Sequence, residues 1–109
     1  MQSLATRGVD IYITEFDVQD VTFPDDVAAR DAKVAETAET FLMHVLRIPQ
    51  VKAVITWQLA DHYSFYTADA RHKNPQATRL PRPLPFDDKM QPKPLWHAMA
   101  RAFEKARKA

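Results

Sequence analysis

Two runs of β-branched and aromatic residues along this chain predict buried β-strands. The first run, Val9–Val18, follows Gly8 and is apolar on both faces, which is typical of a parallel strand that is covered on both sides. The second run, Val51–Trp57, is interpreted as a second strand. Residues Met1–Arg7 are interpreted as the last turns of a preceding helix, because glycine commonly follows a helix end.

The residues between these two strands have the spacing of an amphipathic helix. Asp25 and Asp26 are candidate caps at its start, just before Val27. The helix is expected to end near Arg47. Its apolar stripe consists of Val27, Val34, Ala38, Phe41, Leu42 and Val45. A strand, a helix and a second strand in this order predict a right-handed βαβ unit with parallel strands.

The remainder of the chain predicts a long loop and one more helix. Residues 67–94 contain six of the eight prolines and are interpreted as an irregular loop, which at this length often has a functional or covering role. A helix over Leu95–Ala106 follows the loop. Its apolar stripe consists of Leu95, Ala98, Met99, Ala102, Phe103 and Ala106.

This order of elements predicts an α/β fold that is not complete by itself. Two parallel strands alone would leave an open edge on each side, and a buried parallel sheet needs neighbours there. The chain also has 1 glycine in 109 residues, whereas about 7% is usual. That scarcity fits either a helix-rich domain or part of a larger fold, and the two strands favour the second interpretation.

Composition excludes several classes of function. The net charge of +1 gives no support for a nucleic-acid partner, and no apolar run is long enough for a membrane span. Without cysteine there is no disulfide, thiol nucleophile or thiolate metal site. The 4 histidines show no metal-ligand spacing, and a single glycine excludes the glycine-rich nucleotide loops. Neither a metal nor a cofactor is therefore predicted.

Two carboxylates lie at the end of the first predicted strand. Glu15 and Asp17 share one face of it, and active sites of α/β folds gather at the carboxyl ends of parallel strands. A functional Glu15 would act as nucleophile or base, with Asp17 as its partner. The alternative is structural, with Glu15 in a cap or an ion pair and Asp17 in a turn. Position alone leaves both interpretations open.

An aromatic cluster follows the second predicted strand. Its members are Trp57, Tyr63, Phe65 and Tyr66. Sugar rings stack on such side chains, so the cluster suits a carbohydrate cleft. The alternative is a small satellite core beneath the proline-rich loop.

Three segments together resemble a known family. Ile13–Val18 resembles the "ITELDV" nucleophile strand of glycoside hydrolase family 10, the endo-β-1,4-xylanases. Ile55–Phe65 resembles the next strand and loop of that family, typically "ITFWGVADPYSW". Leu84–Trp96 resembles its "PLLFDxxYQPKPAY" entry to the last helix. The motifs occur in the family's order and spacing, and they cover nearly the whole chain.

The resemblance implies that residues 1–109 form the C-terminal part of a (β/α)8 TIM-barrel catalytic domain. The chain would supply strands 7 and 8 with their helices and leave the barrel incomplete, since such barrels need about 250 residues. The implied partner is the missing N-terminal part of the barrel. The implied substrate is xylan or a xylo-oligosaccharide, and the parent protein is expected to be secreted or periplasmic, although no signal peptide opens this chain.

The resemblance also implies residue roles. Glu15 matches the nucleophile of a retaining mechanism, and Asp17 matches the residue that orients this nucleophile through a histidine on an earlier strand. Trp57 matches the tryptophan that lines the sugar subsite at the cleavage point. The chain departs from the family pattern at two positions. Phe65 stands where many members have a second tryptophan, and Gln58 stands where many have glycine.

One catalytic group of the family is missing from this chain. The acid/base glutamate belongs to an Asn-Glu motif that is not present here. The other glutamates, Glu36, Glu39 and Glu104, lie in predicted helices. The isolated chain is therefore expected to be inactive, and to be unstable or self-associated because of its open edges. Two alternatives are a non-catalytic carbohydrate-binding or degenerate barrel remnant and an unrelated βαβ interaction module.

Overall fold

The computed structural model describes residues 1–108 and contains two parallel strands, four α-helices and one 3₁₀ turn in that range. In chain order the elements are α1 (Gln2–Ala5), β1 (Ile11–Phe16), α2 (Val27–Val45), β2 (Val51–Thr56), the 3₁₀ turn (Asp61–Tyr63), α3 (Phe65–Lys73) and α4 (Pro94–Lys108). None of the helices within residues 1–108 is long and apolar enough to cross a membrane.

The predicted parallel pairing of the two strands is confirmed. In the register of the sheet, Ile11 lies beside Val51 and Phe16 lies beside Thr56. These two strands are the whole sheet of the described residues, so each has one unpaired edge. Such an arrangement is consistent with a portion of a barrel, because a complete barrel leaves no open edge.

The core lies where α2 and α4 pack on each other and against the sheet. Its buried members are Phe16, Val18, Val34, Ala38, Leu42, Val45, Leu95 and Ala102. Most of the predicted stripe of α2 is therefore confirmed. Val27 and Phe41 are exceptions, since both remain partly exposed, and Phe41 stacks on Phe16 with 5.9 Å between ring centroids. The predicted cap of α2 is also present, because the Asp26 carboxylate accepts a hydrogen bond from the Ala29 amide at 2.9 Å.

The prediction of an irregular loop over residues 67–94 is wrong for its first part. The helix α3 occupies Phe65–Lys73, and only residues 74–93 are irregular, with isolated bridges. The helix lacks an apolar stripe, so its sequence carries no hydrophobic period. Polar contacts anchor it instead: the Ser64 hydroxyl accepts a hydrogen bond from the Tyr66 amide at 3.0 Å and caps the first turn.

Candidate active site

Glu15 and Asp17 lie at the carboxyl end of β1, and both line one open cleft of about 380 Å³. The remaining lining residues are Trp57, Phe65 and Tyr66, which we call the aromatic wall. The side chains that the sequence singled out from two distant segments are thus brought together. The parallel register explains this, because Phe16 lies beside Thr56 and the residues around them leave the sheet at the same edge.

The aromatic wall is open to solvent. Trp57 is 49% exposed and Phe65 is 61% exposed, although large apolar side chains are usually covered. Phe65 and Tyr66 begin α3 and meet edge to face, with 5.7 Å between their ring centroids. Tyr63 does not line the cleft and instead contacts His62, so the cluster predicted from the sequence is divided. A small satellite core is the wrong interpretation for Trp57 and Phe65, because both are exposed.

The two carboxylates of the cleft differ in their surroundings. Glu15 is exposed, whereas Asp17 is half-buried. Burial raises the pKa of the Asp17 carboxyl above its ordinary value, and the negative charge of Glu15 raises it further. Asp17 therefore keeps its proton to a higher pH than a free aspartate does.

Asp61 follows β2 in the chain, but it does not line the cleft formed by Glu15, Asp17 and the aromatic wall. Its side chain is buried and forms an ion pair with Lys93, with 2.8 Å between the carboxylate oxygen and Nζ. Among the described residues, the cleft thus has Glu15 and Asp17 as its acidic groups. No group of three or more histidine and acidic side chains in residues 1–108 is placed to hold a metal ion.

The backbone takes an unusual conformation directly after Trp57. Gln58 has a φ angle of 82°, in the left-handed region that favours glycine. Many members of the family that the sequence resembles have glycine at this position, but no left-handed conformation was predicted from that departure. This chain therefore adopts a left-handed conformation next to Trp57 at a residue that carries a side chain.

The proline-rich segment supports the ends of both strands. The Pro83 carbonyl accepts a hydrogen bond from the Val18 amide at 3.1 Å, and the Leu84 amide donates to the Asp61 carboxylate at 2.9 Å. Pro83 and Leu84 are fully buried. The length of this loop predicted a functional or covering role but not these contacts. The one available signal was a lysine, Lys93, between two prolines at the start of the last helix.

Comparison with known proteins identifies similar sequences and structures in one family. A family model described as glycosyl hydrolase family 10 matches residues 1–102. Xylanase 10B from Thermotoga maritima is 27% identical, with a TM-score of 0.79 over 99% of this chain and 31% of its own. Xylanase 10B from Thermotoga petrophila, solved with xylobiose, is 30% identical, with a TM-score of 0.75 over 95% of this chain and 29% of its own.

A third structure is an intracellular xylanase from Thermoanaerobacterium saccharolyticum, solved with xylotetraose. It is 25% identical, with a TM-score of 0.66 over 90% of this chain and 26% of its own. No curated protein sequence matches the chain. The chain spans less than a third of the length of these xylanases. The family match excludes an unrelated βαβ module, and this chain belongs to glycosyl hydrolase family 10.

Proposed function

We propose that residues 1–109 are the C-terminal part of a retaining endo-β-1,4-xylanase domain and supply its seventh and eighth barrel strands. The observation that carries this proposal is the placement of Glu15 in one open cleft with the aromatic wall. A carboxylate at the carboxyl end of a parallel strand is where barrel enzymes keep their catalytic groups. Exposed aromatic rings beside it suit a sugar ligand.

In the proposed mechanism, Glu15 is the nucleophile. Its carboxylate oxygen attacks the anomeric carbon, and the bond from that carbon to the leaving oxygen breaks while a second carboxylic acid protonates that oxygen. The same second group then takes a proton from water. The water oxygen attacks the anomeric carbon, the ester bond to Glu15 breaks, and the sugar is released with its original anomeric configuration.

Asp17 and the aromatic wall have supporting roles in this proposal. Asp17 orients Glu15 through a histidine that an earlier strand supplies, as the family resemblance implies. Trp57 lines the sugar subsite at the cleavage point, and Phe65 extends the wall. The partial exposure of both rings supports these assignments, since about half of each side chain stays open to solvent within residues 1–108.

The second carboxylate and the rest of the barrel come from outside residues 1–109 in this proposal. The missing part of the barrel is therefore the macromolecular partner that the site needs. An open groove of about 450 Å³ between β1 and α2 supports this. Its lining combines the apolar residues Ile13, Phe16, Val18, Ala38 and Phe41 with the polar residues Glu15, Asp17, Gln19 and Thr37. Apolar side chains beside an unpaired strand edge suit a further parallel strand and its helix.

A chimera tests the proposal. The part of Thermotoga maritima xylanase 10B that this chain does not cover is joined ahead of residue 1, and release of reducing sugar from xylan is measured. We expect hydrolysis by the chimera, none by the 109-residue chain alone, and loss of at least about a thousandfold in Glu15→Ala. Glu36→Ala is the matched control, because that glutamate lies exposed on α2. Unchanged turnover in Glu15→Ala would refute the nucleophile assignment.

A trapping experiment tests the covalent step directly. A fluorinated xylobioside with an activated leaving group should form an ester with Glu15 in the chimera, and peptide mass spectrometry should locate it. Labelling of any other carboxylate would contradict the mechanism.

A carbohydrate-binding remnant without catalysis is the second candidate, and the exposed aromatic wall is the observation that favours it. In that case the 109-residue chain alone binds xylohexaose in calorimetry, and Trp57→Ala removes the binding. Trp96→Ala is the control, since Trp96 lies on α4 and does not line the cleft. Binding by the chain together with an inactive chimera would favour the remnant.

We further propose that the whole protein is secreted or periplasmic, where a polymeric xylan substrate is accessible. Fractionation of cells that express the natural protein tests this directly. Its recovery in the cytoplasm would contradict the proposal.

A further inference from the structure

A buried ion pair lies next to the start of α3. Lys93 and Asp61 are 3% and 2% exposed, and 2.8 Å separates the lysine Nζ from the Asp61 carboxylate. Charged residues are almost never this buried unless they are paired. The pair connects the start of α4 with the loop that follows β2, and the residues are 32 positions apart in the chain.

The Lys93 ammonium group has a full set of acceptors. Besides Asp61, it donates to the Arg82 carbonyl and to the Leu84 carbonyl, each at 2.9 Å. An ammonium group has three protons to donate, so every one is used. Because all three protons are bound by buried or partly buried acceptors, the ammonium group is held in one position.

The backbone of Asp61 connects the ion pair to the start of α3. Its backbone carbonyl accepts hydrogen bonds from the Thr67 hydroxyl at 2.8 Å and from the Ser64 amide at 3.1 Å. Ser64 caps α3, and the next two residues are Phe65 and Tyr66 of the aromatic wall. The contacts therefore run without a gap from Lys93 to the cleft.

At the other end of these contacts, Lys93 is attached to the well-packed helix α4. The Lys93 carbonyl accepts the Trp96 amide at 2.9 Å in the first turn of α4. The buried residues Leu95, Ala98 and Ala102 fix α4 on the remainder of the structure. Lys93 thus directly precedes α4, which packs on α2 around the apolar core, whereas α3 has few apolar contacts of its own.

A gain in the free energy of unfolding does not explain why a buried ion pair is present here. Burial raises the pKa of Asp61 and lowers the pKa of Lys93, so both shifts record the cost of removing charge from water. Apolar residues of similar volume often replace a buried ion pair without loss of stability. What the pair provides, and apolar groups do not, is directional contact with specific acceptors.

We propose that Lys93 is a positioning residue for the aromatic wall, holding Asp61 and, through it, the start of α3 against the framework of α2 and α4. The link to xylan rests on the proposed function. The positioning itself does not, because it concerns contacts that exist without a sugar.

Two variants separate positioning from stability. Lys93→Met removes the ammonium group and leaves Asp61 unpaired, which destabilises the fold as a whole. The double variant Asp61→Leu, Lys93→Met removes both charges and so restores the part of the stability that the unpaired carboxylate costs. The directional contacts stay absent, because the Leu84 amide and the Arg82 and Leu84 carbonyls lose their side-chain partners. Arg101→Met is the control, because it breaks an exposed ion pair between Arg101 and Glu39, with 2.7 Å between the charged atoms.

The measurement is amide hydrogen exchange without sugar, in the 109-residue chain and in the chimera. In the double variant, we expect the exchange of the Ser64, Tyr66 and Ala68 amides to accelerate at least about tenfold more than the exchange of the α2 amides. Near-ultraviolet circular dichroism of Trp57, in a Trp96→Phe background, should change in the same variant. The control should leave both signals as in the parent.

Each result decides the proposal. Equal acceleration of α2 and α3 amides, or failure of the double variant to fold, would show that the pair serves stability alone and would overturn it. Parental exchange of the α3 amides in the double variant would also overturn it. Loss of xylan hydrolysis by the unmutated chimera would instead contradict the proposed function and leave the exchange result standing.

Discussion

The carboxyl groups of Asp17 and Glu15 line the same cleft, and the charge of Glu15 adds to burial in raising the pKa of Asp17. A raised pKa in the folded state means that the protonated form is favoured there. The stability that Asp17 contributes is therefore complete below its ordinary pKa of 3.8 and is lost as the pH rises through the folded-state value. The burial of Asp17, with the charge of Glu15 beside it, thus costs stability at neutral pH.

Asp17→Asn removes this cost, since asparagine resembles the protonated acid at every pH. We expect a higher urea midpoint than the parent at pH about 7 and no difference at pH about 3. Asp10→Asn removes one exposed negative charge just before β1 and serves as the control. An equal gain at both pH values would contradict the electrostatic explanation.

Gln58→Gly should stabilise the protein. The φ angle of 82° at Gln58 costs a residue with a side chain about 1–3 kcal/mol, and glycine avoids most of that strain. Glycine also loses more backbone entropy on folding, so the expected net gain in the free energy of unfolding is about 1 kcal/mol. Urea denaturation measures it. Gln50→Gly, at a position without a positive φ, should instead lower stability.

Leu42→Ala should be among the most damaging substitutions in the core. Leu42 is 0% exposed between α2, α4 and the sheet, so truncation leaves a cavity and costs about 2–5 kcal/mol. Val27→Ala, in the same predicted stripe but 47% exposed, should cost less than about 1 kcal/mol. Similar losses in both variants would show that the packing of α2 differs from the one described.

Ser64→Ala should loosen α3 selectively. The variant loses the hydroxyl that accepts from the Tyr66 amide, and a lost cap costs about 1 kcal/mol. Because Phe65 and Tyr66 form the first turn, binding of xylo-oligosaccharide by the chimera should weaken as well. Asp26→Ala removes the cap of α2 and should lower stability without a change in sugar affinity. Weaker sugar binding in both variants would point to a general loss of stability.

Much of the architecture was predictable from local patterns. The runs of β-branched residues and the stripes of α2 and α4 predicted elements that the structure contains, because the spacing of apolar residues reflects which positions meet the core. The positions of Glu15 and Trp57 in one cleft also followed from strand order, since parallel strands end at the same edge.

The features that the sequence did not predict depend on contacts between residues that are distant in the chain. The helix α3 has no hydrophobic period, and its first turn is held by Ser64 and by the backbone of Asp61. The half-burial that shifts the pKa of Asp17 is likewise a property of its surroundings and not of its residue type.

The sequence by itself thus determined the family, the parallel strand pair and the strand-end carboxylate, because periodicity and motif order are properties of the linear chain. Only the tertiary structure decided that Asp61 faces Lys93 instead of Glu15, and that Tyr63 lies outside the aromatic wall. The reason is physical: where a polar side chain points is set by the partners available after the core has packed, and those partners come from segments tens of residues away.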